Sequence, residues 1–195
     1  DWCAALLDER LPENRELQII RGSVDHLRAL LQRTRMHTGR VVLNPGDCDV
    51  RALFEQIIRE TPHTDALRIE IDRCDDAPLY CDPSHVREAL TNLVGNAVEA
   101  MRGSGRITLS YVRTARKAAV SVCDDGPGMT PAAQKRIFEP YYTTKTSGEN
   151  FGLGLYYCQN VMNVHEGSIR VSSAPGKGCT FTLIFPLAAQ ERRKP

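Results

Sequence analysis

Four polar side chains, Glu88, Asn92, Asn96 and Glu99, recur at steps of four, four and three. On a helix that spacing puts them along one stripe. Val86, Leu90, Leu93, Ala97 and Met101 form the adjoining apolar stripe. A solvated face is ordinarily rich in long Lys and Arg side chains, which is the bland reading of such a stripe. Two asparagines a turn apart beside the core instead offer fixed carbonyl oxygens. Such oxygens suit a hard cation like Mg²⁺, which keeps several waters and shares the phosphates of a nucleotide.

Two further blocks could do chemistry. Asp124-Asp125-Gly126-Pro127-Gly128-Met129 directly follows a run ending at Cys123 that alternates like a strand. A carboxylate at a strand end can accept from the amino group of an adenine, and Gly126 and Gly128 let the backbone pass beneath a flat base with no Cβ in the way. The same residues read equally as a plain Asp-Gly turn. Phe138-Glu139-Pro140-Tyr141-Tyr142-Thr143-Thr144-Lys145 then leads to Gly152-Leu153-Gly154-Leu155. Its hydroxyls and Lys145 are donors for phosphate oxygens, and the glycines open a helix whose first amides favour an anion. The intervening Thr-, Ser- and Gly-rich stretch fits a lid that closes over a bound nucleotide. Alone, that glycine pair is a flexible turn before a helix.

These blocks need elements to hold them. The apolar periodicity predicts a helix over 14–38, from Leu17, Ile20, Val24, Leu27 and Leu30, after a shorter apolar piece and a turn at Leu11–Asn14. Gly39 and the Asn44-Pro45-Gly46 turn end it. A helix is expected over 50–61, strands at 67–71 and 79–81, and a helix begun by Asp82-Pro83-Ser84 that runs to about Met101. Strands follow at 106–112 and 118–123, short helices at 131–138 and 155–165, and strands at 168–173 and 180–185, the last two joined by Gly176-Lys177-Gly178. Helices and strands mix without strict alternation. The expected fold class is therefore α+β, a two-layer sandwich of one mixed sheet covered by helices on one face.

Composition narrows the function classes. The 195 residues hold 25 basic and 24 acidic side chains, so charge gives no general reason to bind nucleic acid or an anionic membrane. The apolar runs are strand-sized and none spans a bilayer. Seven scattered cysteines form no CxxC pair and do not cluster with the five histidines, which argues against zinc and for small buried hydrophobes in a reducing, cytoplasmic setting.

In this order and at these separations, the blocks resemble the N, G1, F and G2 boxes of the histidine kinase catalytic domain, in the superfamily shared with DNA gyrase, Hsp90 and MutL. The resemblance covers residues 45–188, and 14–43 look like the second helix of a dimerisation and histidine-phosphotransfer hairpin. It implies a Bergerat-type ATP-binding fold, with ATP and Mg²⁺ as cofactors. Asn96 would ligate Mg²⁺, Asp124 would bind the adenine, and Gly126 and Gly128 would shape the base pocket. Lys145, with Thr143 and Thr144, would reach phosphates, and Gly152, Leu153, Gly154 and Leu155 would belong to the lid and the helix after it. Where the family usually has a glycine two residues before the first lid glycine, Asn150 and Phe151 occupy the stretch.

The same resemblance separates kinase from ATPase. Gyrase-like relatives place a glutamate four residues before the Mg²⁺-binding Asn, and here that position is Asn92. An amide cannot take a proton at neutral pH, so hydrolysis loses its general base while transfer to a separate nucleophile does not. A rival register makes Glu88 the base before Asn92, as in the anti-sigma-factor serine kinases of the superfamily or an ATPase switch. The expected acceptor is a histidine. His26 precedes Leu27 rather than a carboxylate and lies too near the ATP domain, which puts the acceptor upstream of a chain that starts at Asp1 rather than Met. The expected organisation is a distal hairpin piece at 1–43, a catalytic domain at 44–188 and a polar tail at 189–195. The implied partners are a response-regulator receiver domain and a second copy through the hairpin, with no nucleic acid and no membrane contact by this segment.

Overall fold

The computed structural model describes residues 43–62, 64–143 and 152–187. Apart from Thr143 these fall in one compact unit, Val42–Tyr142 with Gly152–Pro195. The expected helix at 14–38, His26, His63, Thr144, Lys145, Asn150, Phe151 and the 189–195 tail lie outside the described residues.

The chain opens with β1 (Gly46–Cys48), α1 (Val50–Glu60), β2 (Leu67–Cys74), β3 (Leu79–Cys81) and α2 (Pro83–Ala100). In α1, Val50, Leu53, Phe54 and Ile57 recur at helical spacing and are buried. Asp49 caps the helix by accepting from the Ala52 amide at 3.0 Å. In α2, Asp82 accepts from the amides of Ser84 and His85, and Pro83 fills the first helical position. Val86, Ala89, Leu90, Leu93, Val94 and Ala97 make its buried stripe. A reversal through Arg102 and Gly103, both at positive φ, ends α2.

There follow β4 (Gly105–Arg113), β5 (Lys117–Asp124), α3 (Pro131–Arg136), α4 (Gly154–Val164), β6 (Ser168–Ser173) and β7 (Cys179–Pro186). The main sheet has the order β2-β4-β5-β7-β6, with β2 and β4 parallel and the remaining pairs antiparallel. Parallel neighbours need a crossover, and the segment containing α2 supplies it. Alternate residues of the central strands are buried: Ile107, Leu109 and Tyr111 on β4, Val120 and Val122 on β5, Phe181, Leu183 and Phe185 on β7. The residues between them are half-exposed and, except for Ile184, polar, and Ser121 and Thr182 share a hydrogen bond at 3.0 Å there. The result is the expected mixed sheet with its helices packed on the apolar face, α1 on β2, α2 on β4 and β5, α4 on β6 and β7.

Three details depart from the sequence reading. Residues 46–48, of which that reading assigns only Gly46, to the Asn44-Pro45-Gly46 turn, pair antiparallel with β3; the partner strand, not local propensity, extends them. β2 runs on to Cys74, because an irregularity between Ile71 and Arg73 skips Asp72 and restores the register. Of the described cysteines only Cys48, Cys81 and Cys158 are buried, while Cys74 and Cys179 are half-buried and Cys123 is exposed.

Candidate functional site

Strand alternation puts Asp124 on the helix-facing side of the sheet, in line with Val120 and Val122 and opposite Cys179 of β7. A carboxylate there is only 6% exposed. Its Oδ1 accepts from the amides of Gly126 at 3.0 Å and Cys179 at 3.2 Å, and no described group donates to Oδ2. Burial pushes the Asp124 carboxyl above its ordinary value, the two amides oppose that rise, and the charge of Asp125 adds to it. Asp125 itself is exposed and clamps to β4. It exchanges hydrogen bonds with Arg106, whose amide donates to Asp125 Oδ1 at 2.9 Å.

The glycines around Asp124 are required by the protein's own backbone. Gly128 has φ +67°, and a Cβ there would lie 2.0 Å from the Ala174 carbonyl oxygen. At Gly178, φ is +71° and a Cβ would lie 1.9 Å from the Asp124 carbonyl oxygen. The turn before β7 therefore packs directly under the Asp124 loop, which no local sequence signal reveals. Gly178 and Cys179 are site residues that sequence reasoning missed; the only hint is a Gly-Lys-Gly turn opening a strand.

Along α2, Glu88, Asn92 and Asn96 are half-buried and Glu99 is exposed. Asn92 donates through Nδ2 to the Glu88 carbonyl at 3.0 Å. Its Oδ1 then faces the start of α4, where a Cβ on Gly154 would lie 3.0 Å away. At the other end of α2, Met101 Cγ lies 3.1 Å from where a Cβ of Gly126 would be. The stretch of α2 from Asn92 to Met101 thus runs from the start of α4 to the Asp124 loop, with Asn96 between them.

The start of α4 is distinctive. Asp49, Asp82 and Thr130 cap α1, α2 and α3 through side-chain oxygens, whereas Leu153 gives α4 no such cap. Its first amides are left for another acceptor. The segment that follows α3 returns to this point. Tyr141 donates its amide to the Gly152 carbonyl at 3.1 Å, and Gly152, at φ +64°, has no room for a Cβ against the Tyr142 carbonyl at 2.6 Å. Arg136 stacks over the Tyr142 ring at 4.5 Å and pairs with Glu139 at 3.0 Å, bracing that neck. Of the expected phosphate-side residues, Thr143 is exposed beyond the neck and Leu153, Gly154 and Leu155 open α4. Nothing described bears on Thr144 or Lys145.

Residues 81–189, more than half of the chain, match the family described as histidine kinase-, DNA gyrase B-, and HSP90-like ATPase. The chain belongs to this family. As a member of this ATPase family it is an ATP-binding module. It is 41% identical over 115 residues to the signal transduction histidine-protein kinase AtoS of Escherichia coli, an overlap of 58% of this chain and 19% of AtoS. Its fold superposes on full-length ShkA in complex with AMPPNP with a TM-score of 0.76 and 26% identity, covering 88% of this chain and 38% of ShkA. It also matches the catalytic domain of the histidine kinase ThkA, with a TM-score of 0.63 and 25% identity over 74% of this chain and 98% of that domain. The chain spans between 18% and 42% of the length of the curated relatives it matches.

Proposed function

We propose that this chain is the catalytic module of a sensor histidine kinase, transferring the γ-phosphoryl of Mg·ATP to a histidine of a dimerising helical hairpin, for relay to a response-regulator aspartate. The observation that carries this reading is Asn92. It stands one turn before Asn96 and faces the start of α4, where a hydrolase would need a base, and an amide has no lone pair basic enough to deprotonate water. The rival base, Glu88, lies a further turn away, and its carboxylate accepts a hydrogen bond from the Tyr157 hydroxyl at 2.5 Å.

The other residues take roles around that centre. Asp124 Oδ2 accepts from the adenine amino group. Asn96 fits Mg²⁺ as a neutral oxygen donor, and among the described residues no group of three His, Cys, Asp or Glu side chains could hold a metal by itself. When bound, Mg²⁺ neutralises charge on the phosphates. Thr143, Thr144 and Lys145 serve the phosphates from the lid, and the uncapped amides after Leu153 serve them from α4. No described helix is long and apolar enough to cross a membrane, and a cytoplasmic module fits the ATP it needs.

The test is incubation with γ-labelled ATP and Mg²⁺, alone and with a complete acceptor hairpin from the same protein. Acid-labile, base-stable label on the hairpin is the expected result. Steady release of phosphate to water with no labelled hairpin would replace the kinase reading by an ATPase.

A further inference from the structure

Helices α2 and α4 run antiparallel and are tied by polar bonds at several levels. At one end the Asp82 amide donates to His165 Nε2 at 3.0 Å. In the middle Cys158 Sγ donates to the Ala89 carbonyl at 3.4 Å. Nearest the candidate site, Tyr157 Oη lies 2.5 Å from Glu88 Oε2 and 3.0 Å from His85 Nδ1. Tyr157 is three residues beyond Gly154, and Glu88 is four residues before Asn92, so this bond sits one turn behind the point where α4 meets Asn92.

A phenol has one proton to give. A carboxylate is the stronger acceptor and the shorter bond is to Glu88, so Tyr157 donates to Glu88 and its oxygen accepts from His85 Nδ1–H. The chain of bonds is therefore directional, His85 to Tyr157 to Glu88, and it assigns His85 the tautomer with the proton on Nδ1. Burial, with the charge of Glu88, pushes the Tyr157 hydroxyl far above its ordinary value and keeps it a donor.

We propose that His85, Tyr157 and Glu88 are positioning residues for the nucleotide's phosphates: their hydrogen-bond chain sets the register of α4 on α2, and so the distance between α4's uncapped amides and Asn92 and Asn96. The proposal rests on the ATP site described above. Tyr157, which joins the other two, is only 6% exposed, so it acts through the helices it ties together. A slide of α4 by an ångström would misplace its first amides with Asp124 left unmoved, because Asp124 is held by β5 and β7. The network therefore affects binding of the phosphates separately from binding of the base.

The experiment compares equilibrium binding of Mg·ATP and of adenosine to the wild type, Tyr157→Phe, Glu88→Ala and Glu88→Gln. Tyr157→Phe keeps the ring and loses only the donor. It should weaken Mg·ATP roughly ten-fold, the scale of removing a group that orients a ligand donor, and leave adenosine binding unchanged. Glu88→Ala should show the same selective loss, which keeps the proposal testable if Tyr157→Phe fails to fold. Glu88→Gln still accepts from the phenol and should bind and transfer nearly as the wild type does. Amide exchange at 154–157 should quicken in Tyr157→Phe. Parallel loss of both ligands, or loss of neither, overturns the proposal, as does a Glu88→Gln protein as impaired as Glu88→Ala. Wild-type protein that binds neither ligand overturns the ATP reading itself, and the proposal with it.

Discussion

In the proposed base site Asp124 works under opposed demands: it is buried beside the core and would still offer a charged oxygen to the adenine. Burial favours its protonated form, so the folded state holds that proton more tightly than the unfolded chain. The sign follows. Its contribution to stability is fully present below the ordinary carboxylate value of 3.8 and is lost as pH rises through the higher folded value. In Asp124→Asn the amide oxygen still accepts from Gly126 and Cys179, and an NH₂ replaces Oδ2. Thermal melts of the nucleotide-free variant should therefore lose that part of the pH dependence and match or exceed the wild type at pH 7. The same variant should bind ATP more weakly by ~1.5–3 kcal/mol, the scale of a hydrogen bond to a charged group. Parallel melting profiles would remove the burial argument, and unchanged calorimetric affinity would remove Asp124 from the base site.

Between elements, the decisive contact is the turn before β7 against the loop after β5. Gly176 and Gly178 both have positive φ, yet a Cβ at Gly176 meets nothing within 4 Å while one at Gly178 would overlap the Asp124 carbonyl oxygen at 1.9 Å. Gly176→Ala should therefore cost only the left-handed backbone penalty, about 1–2 kcal/mol, with ATP affinity retained. Gly178→Ala must displace the Asp124 loop, and should be both less stable and defective in ATP binding. Denaturant melts and ATP titration of the two variants check this, and equal behaviour would sink it.

For the whole molecule, stability resides in the apolar face of the sheet on which the helices lie. Leu183 is fully buried on β7, between β5 and β6. Leu183→Ala should destabilise by about 2–5 kcal/mol, seen as a lower urea midpoint with an unchanged slope. That face also sets the site, because Asp124 continues the buried row of β5 and α2 borders both the Asp124 loop and the start of α4.

Much of this was legible in the chain itself. The polar stripe Glu88, Asn92, Asn96 and Glu99, the Asp124–Gly128 turn and the glycines at 152 and 154 are local patterns, and helical and strand periods place each on an element without reference to the rest. The alternation of β4, β5 and β7 likewise settles which face is buried. Tertiary structure alone decided what depends on residues far apart in sequence meeting side by side. Strand β1 exists because β3 pairs with it, and Gly178 matters because β7 lies against β5. Tyr157 reaches Glu88 across 69 positions because α4 packs antiparallel on α2. A period of 3.6 or 2 reports which face of an element is apolar; it holds no information about which distant element will cover that face, or in what register.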